Sequence, residues 1–304
     1  MLIGIAGSAL AHNAPPFESR THRQFTISLF KKVLPKKTGQ YMLAKESDRL
    51  EKFLFALIKI LLIYAVSISF LVLLLTWNKP QERAVAGMAL AAFFIWVIFF
   101  GALMYRFRRQ ICNLILAIPL PWQFKFVVLA TGLALLEEAV TVSLTNLAPL
   151  FGGTVGQSYI TASTNYLDVV LFHSVIIFIP MFIAWAWALT RYRFSPVAVF
   201  FIWGITGWIL EISFSGPGQL LSFAFWIFIY GTMIWLPAFC IPERREAKLP
   251  KTRHYFIPFL AMLAAAVIFF GLATLLGTAL KFNPFSGHPK FHFLSSFNLS
   301  NFLT

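Results

Sequence analysis

The chain has 304 residues, of which 59% are hydrophobic and only 12% charged, with a mean hydropathy of +0.77. Ordinary soluble domains carry about 25% charged residues, so a soluble globular fold is excluded and a multi-span membrane protein is implied. The net charge of +14 would suit a nucleic-acid binder, but the basic residues flank apolar segments and form no compact basic domain or basic-aromatic motif, so no nucleic acid is expected and the lipid bilayer is the expected partner.

In chain order, MLIGIAGSAL at the start has a short apolar core and no positive leader, so a cleaved signal is not expected. RQFTISLFKKVLPKK, 23–37, mixes apolar residues with a lysine-rich edge; it fits an interfacial helix on anionic lipid and equally a basic tail that only sets orientation. Seven apolar stretches then reach the roughly 20 residues that a helix needs to cross the hydrocarbon core: about 53–77, 84–105, 123–146, 165–189, 196–214, 219–241 and 256–280. An eighth, ICNLILAIPLP at 111–121, is too short and ends in prolines, which predicts a re-entrant or surface-lying piece. The expected fold is therefore all-α and polytopic, with about seven transmembrane helices. It is preceded by a basic segment, 1–52, and followed by an irregular tail, 281–304, whose Asn298 begins an NLS sequon.

Cytoplasmic loops are enriched in Lys and Arg. With seven spans, one side receives twenty basic residues, from 1–52, 106–125, 191–193 and 242–255, and the other four: Lys79, Arg83, Lys281 and Lys290. The predicted topology is N-terminus in and C-terminus out, in the plasma or inner membrane. Cys112 and Cys240 form neither CxxC nor a zinc-ligand spacing, so neither a disulfide framework nor haem attachment is expected.

The acids are the informative residues. Of eleven, only Glu137, Glu138, Asp168 and Glu211 lie between Arg83 and Pro242, and all four fall inside predicted spans. A charged side chain at the membrane centre costs about 2.5–3.5 kcal/mol on insertion scales, so four such residues are expected to face one another or a wet cavity. At ~1.5 Å of rise per helical residue, Glu138 lies ~12 Å and Glu137 ~13 Å below the rim near Asn146. By the same rise Asp168 is ~4–5 Å, His173 ~12 Å and Glu211 ~6 Å below that rim. Three spans thus deliver acids to one half of the bilayer, and His173, the histidine within a span, arrives at the depth of the glutamate pair. Asn165 shares a helical face with Asp168 and His173, while Thr141 and Thr145 extend the stripe of Glu137 and Glu138.

The connection NLAPLFGGTVGQSYITASTN, 146–165, is uncharged and rich in Gly, Ser and Thr. It reads as a lid over the acids or as a plain extracellular loop. Pro180 and Pro237 are expected to kink the fourth and sixth spans, and Gly204 and Gly207 to let the fifth approach a neighbour closely.

Carboxylate and imidazole together can hold a metal, activate water or relay protons. The leading expectation is an intramembrane hydrolase acting on a lipid-linked or membrane-embedded substrate. Glu137, Glu138 and His173 would activate water or bind a divalent metal ion, Asp168 would orient His173, and Asn165, Glu211, Thr141 and Thr145 would contact substrate. The alternatives are a proton- or cation-coupled transporter and a non-catalytic subunit whose acids pair with a membrane partner. A Glu-Glu doublet with a histidine on the next span resembles, in part, the intramembrane CAAX-protease and bacteriocin-processing family. There the motifs are Glu-Glu-x-x-x-Arg and Phe-x-x-x-His. Here Val142 replaces the arginine, Val169 replaces the phenylalanine, and no later span supplies a further histidine, so the chain is not assigned to that family.

Overall fold

The computed structural model describes residues 38–242 and 247–279. The 23–37 segment and the 281–304 tail with its sequon lie outside the described residues. The chain divides into a unit of residues 1–56 and one of 57–304; the described part of the first, from Thr38, is helical. Every regular element among the described residues is a helix, and the single strand-like contact is an isolated bridge from Tyr192 to Lys248.

Helix α1 is Thr38–Leu75, α2 Pro80–Ala117 and α3 Trp122–Asn146. Then come α4, Tyr166–His173, and α5, Val175–Arg191, bent by 46° at Ser174. They are followed by α6, Pro196–Ser215, α7, Phe223–Phe239, and α8, Phe256–Ala279. Five of these carry stretches long and apolar enough to cross a membrane, six if α4 and α5 form one broken span, and α7 is a shorter apolar helix of 17 residues. The chain is an integral membrane protein of the multi-pass kind.

The expectation of a separate re-entrant piece at 111–121 does not hold. Residues 111–117 continue α2, whose 38 residues rise about 57 Å against a hydrocarbon core of about 30 Å. The helix therefore runs well past the apolar layer and carries Arg106, Arg108 and Arg109 with it. It passes through a π-helical stretch at FFIWVIFF, 93–100. There Trp96 is fully buried and its Nε1 donates to the Ile229 carbonyl of α7 at 3.0 Å.

That long α2 also explains a second departure. Cys112, near its end, meets Cys240 just after α7, and the two form a disulfide with Cα atoms 4.8 Å apart and 128 residues between them in sequence. Spacing motifs could not have found a pair made by two helix ends. In water a crosslink over so long a loop is worth up to about 4.7 kcal/mol, but inserted helices are already confined, and ~2 kcal/mol is a reasonable share. At roughly 2–4 °C per kcal/mol for a chain of this size, Cys112→Ser is expected to lower the melting temperature in detergent by about 4–8 °C. Reductant should do the same to the wild-type protein and nothing further to the variant; equal melting of oxidised and reduced protein would contradict this.

The α6–α7 pair packs through its glycines. A Cβ on Gly204 would come within 2.5 Å of the Ile227 carbonyl, one on Gly207 would enter the Tyr230 ring, and one on Gly231 would come within 2.6 Å of the Phe200 ring. These glycines let two wide aromatic helices approach closely. Beside them, toward the end where α5 meets α6, lies an aromatic core of Phe178, Phe182, Trp185 and Trp203. Phe182 and Trp203 have ring centroids 4.8 Å apart.

Candidate functional site

A cavity adjoins the aromatic core, with Phe178 shared between them. It has a volume of about 720 Å³ and is walled by α1, α2, α3, the 157–162 segment, α4, α5, α6, α7 and α8. Glu137, Glu138 and Thr141 of α3, His173 and Ser174 at the α4–α5 break, and Glu211 of α6 all line it. Of the eight residues expected at the site from their depth, five thus lie on one cavity: Glu137, Glu138, Thr141, His173 and Glu211.

Each reaches the cavity for a local reason. α3 begins after Pro121 and runs unbroken to Asn146, so the four-residue step keeps Glu137 and Thr141 on one face, with Glu138 one position away. Glu137 and Glu138 are 5% and 8% exposed. The Thr141 hydroxyl lies nearest the Glu137 carbonyl at 3.1 Å, with the Glu138 carboxylate at 3.4 Å. Having one proton, it chiefly bonds back to its own helix. The Ser174 hydroxyl donates to the Val169 carbonyl at 3.3 Å, and Glu211 lines the same cavity as both glutamates.

His173 ends α4 in a π-helical turn, Val169–His173, and Ser174 then leaves helical geometry at φ −126°, ψ −73°. Irregular backbone at membrane depth is tolerated where it lines a cavity, and π-turns recur at functional sites. The sharp bend lies here, six residues before the expected kink at Pro180. His173 Nε2 is 3.8 Å from Asp168 Oδ2, with side-chain exposures of 5% and 20%. At that separation the two groups attract as an ion pair when the ring is protonated and make no direct hydrogen bond.

The other sequence-derived residues sit elsewhere. Asn165 is the N-cap of α4, its Oδ1 accepting from the Leu167 and Asp168 amides at 3.0 and 3.4 Å. Thr145 is fully buried against Thr161, with the hydroxyls 3.2 Å apart. Neither lines the cavity, and Asp168 stands behind His173. Among the described residues no three His, Cys, Asp or Glu side chains are grouped so as to hold a metal ion. Glu137, Glu138 and His173 face the same space without converging on one point, and no metal-dependent step is assigned to them.

Sequence reasoning missed Tyr230, whose hydroxyl donates to Glu211 Oε1 at 2.6 Å, and the polar rim of Gln81, Gln157, Tyr159, Gln219 and Ser222. Helical rise, applied to phenols as to acids, would have found Tyr230. The Pro217–Leu220 turn is held by aromatic donors: Trp208 Nε1 gives to the Gln219 carbonyl at 3.0 Å and Trp226 Nε1 to Gln219 Oε1 at 2.8 Å. Beside it, the Tyr64 hydroxyl gives to the Leu221 carbonyl at 2.9 Å.

The 147–165 connection packs as a fitted cover. Gln81 bonds Thr154 through both its amide groups and receives the Ser158 hydroxyl. Phe151 lies against Gly87, and Asn146 Nδ2 donates to the Thr164 carbonyl at 2.9 Å. Residues 157 and 159–162 face the cavity. No family model matches the chain, and no curated protein or solved structure matches it.

Proposed function

We propose that the protein is a seven-span intramembrane enzyme of the cell membrane, N-terminus cytoplasmic and C-terminus outside, that hydrolyses a lipid-linked or membrane-embedded substrate in the outer half of the bilayer. The orientation rests on the basic residues, twenty against four. The Cys112–Cys240 bond lies at the basic end and by itself would suit an oxidising compartment. Charge decides, because topology is set at insertion, before folding brings the two helix ends together.

The observation that carries the hydrolase reading is a cavity joining a buried glutamate pair to a histidine backed by an aspartate, next to a packed aromatic core. Such a pocket suits chemistry on one face of the membrane. In this reading Glu138 takes a proton from water as the water oxygen bonds to the electrophilic carbon or phosphorus of the substrate. The bond to the leaving group then breaks, and that group takes a proton from His173, held in orientation by Asp168. Glu137 sets the charge beside Glu138, and Glu211 with Tyr230 binds substrate.

The test reads hydrolysis of any lipid-linked substrate carried in the host lipid. Proteoliposomes of the protein in host lipid are incubated in H₂¹⁸O, and lipid-derived products are examined by mass spectrometry. Label should enter a product with the wild-type protein and not with Glu138→Gln, without any ion gradient. Absence of label from the wild-type reaction would overturn the proposal.

A second reading has its own support. The break at Ser174 puts interrupted helix ends beside the acids, an arrangement used by ion-coupled transporters. That reading predicts solute flux that depends on an imposed proton or cation gradient and no label from water.

A further inference from the structure

The cavity's carboxylates outnumber its one basic side chain among the described residues, His173. Glu82, Glu137, Glu138 and Glu211 line it, and no Lys or Arg does among the described residues. Three of the four carboxylates have a donor close by: Glu82 the Lys79 Nζ at 3.0 Å, Glu211 the Tyr230 hydroxyl, and Glu138 the Thr141 hydroxyl at 3.4 Å, shared with backbone carbonyls. Glu137 differs. It is 5% exposed and faces the cavity, and among the described residues its carboxylate accepts no hydrogen bond; its electrostatic neighbours are the acids Glu138 and Glu211. A carboxylate that faces the cavity and takes no donor from a neighbouring side chain is free to take a donor or cation from a ligand.

The ligand's nature follows from the rest of the lining. A bare metal ion is a poor fit, because no three ligating side chains converge among the described residues, and about 720 Å³ is the size of site that takes a molecule of tens of atoms. Aromatic side chains surround the space: Tyr159, Phe178, Phe225, Trp226, Tyr230 and Phe270. Rings beside carboxylates are the surroundings that favour an organic ammonium group over a hydrated one, and the aliphatic wall of α2 and α5 suits an attached chain.

We propose that the cavity binds an amphipathic organic cation, its ammonium group against Glu137 and its apolar part along α2 and α5. This names the substrate class of the site described above; it rests on that cavity being the functional site but does not depend on hydrolysis. A molecule of this chemistry could be a free alkylamine or the aminated headgroup of a lipid.

The experiment is equilibrium binding of radiolabelled hexyltrimethylammonium to the full chain in maltoside detergent. Saturable binding of one equivalent is expected. It should be weakened at least about tenfold by Glu137→Gln, the order expected for losing a charged partner, and left unchanged by Gly132→Ala, a position outside the cavity lining with open space at its Cβ. Trp226→Leu, which keeps every carboxylate, should weaken binding roughly threefold or more and serves if Glu137→Gln does not fold. Displacement by hexylammonium alone would identify a free amine, and displacement by lysophosphatidylethanolamine a lipid headgroup; either supports the proposal. Lack of saturable binding to folded wild-type protein, equal binding to Glu137→Gln, or equal competition by hexan-1-ol would each overturn it. Because no turnover is read, failure here leaves the ¹⁸O test standing, and the reverse also holds.

Discussion

Glu138→Gln is expected to lower turnover by at least about 100-fold, the lower end of what a positioned general base contributes, while the protein still inserts and folds. The substitution keeps the side chain's length and an oxygen able to accept from Thr141, whose hydroxyl lies 3.4 Å from the Glu138 carboxylate. It removes a group that can take a proton, and it replaces an ionisable residue 8% exposed by a neutral one. Melting temperature should therefore hold or rise, since a charge within the bilayer is costly. The comparison requires both readouts on the same preparation. Turnover within threefold of wild type would remove Glu138 from the mechanism, whereas loss of both activity and fold would make it a structural residue.

The second large effect is expected at a residue with no chemistry of its own. Gly207→Ala places a methyl group in the ring of Tyr230. That ring is held on other sides by Phe178 and Trp226, with centroids 5.8 and 5.9 Å away, so it cannot turn aside without moving its neighbours. Overpacking of this kind costs about 1–3 kcal/mol, or roughly 2–12 °C in melting temperature. The displaced phenol should also lose its 2.6 Å bond to Glu211, so activity should fall even at temperatures where the variant is folded. Gly132→Ala is the control: nothing stands within 4 Å of its Cβ, and relief of a helical glycine should be neutral or stabilise by up to about 1 kcal/mol. Equal melting of the two variants would contradict close α6–α7 packing at this point.

How much of this was legible in the sequence depended on the physical signal. Apolar length marked the membrane helices, because hydrocarbon thickness fixes the run required. Acid depth brought Glu137, Glu138, Thr141, His173 and Glu211 to one cavity, because helical rise converts residue number into distance. The same conversion was blind to direction: Asn165 lies near the rim but turns its side chain to cap α4, and Thr145 lies on the acidic stripe but points to Thr161. It also assumed regular helices and so gave no hint of the break at Ser174. Cys112 meets Cys240 only through the position of two helix ends, which no local pattern records. Gly204 and Gly207 were legible as an approach face, while their partners Ile227 and Tyr230 were not.

We propose that the acidic cavity is reached from the side of the 147–165 connection, whose residues 157 and 159–162 line it, and not from the basic end. Thr141 lines the cavity beside Glu138 and is 8% exposed, which makes it the reporter. Thr141→Cys, in a Cys112→Ser, Cys240→Ser background, is treated with a small, charged, membrane-impermeant methanethiosulfonate in right-side-out and inside-out vesicles. Modification is predicted when reagent is added on the side of the connection and not when it is added on the basic side. Equal modification from both sides, or modification from the basic side alone, would contradict the claim.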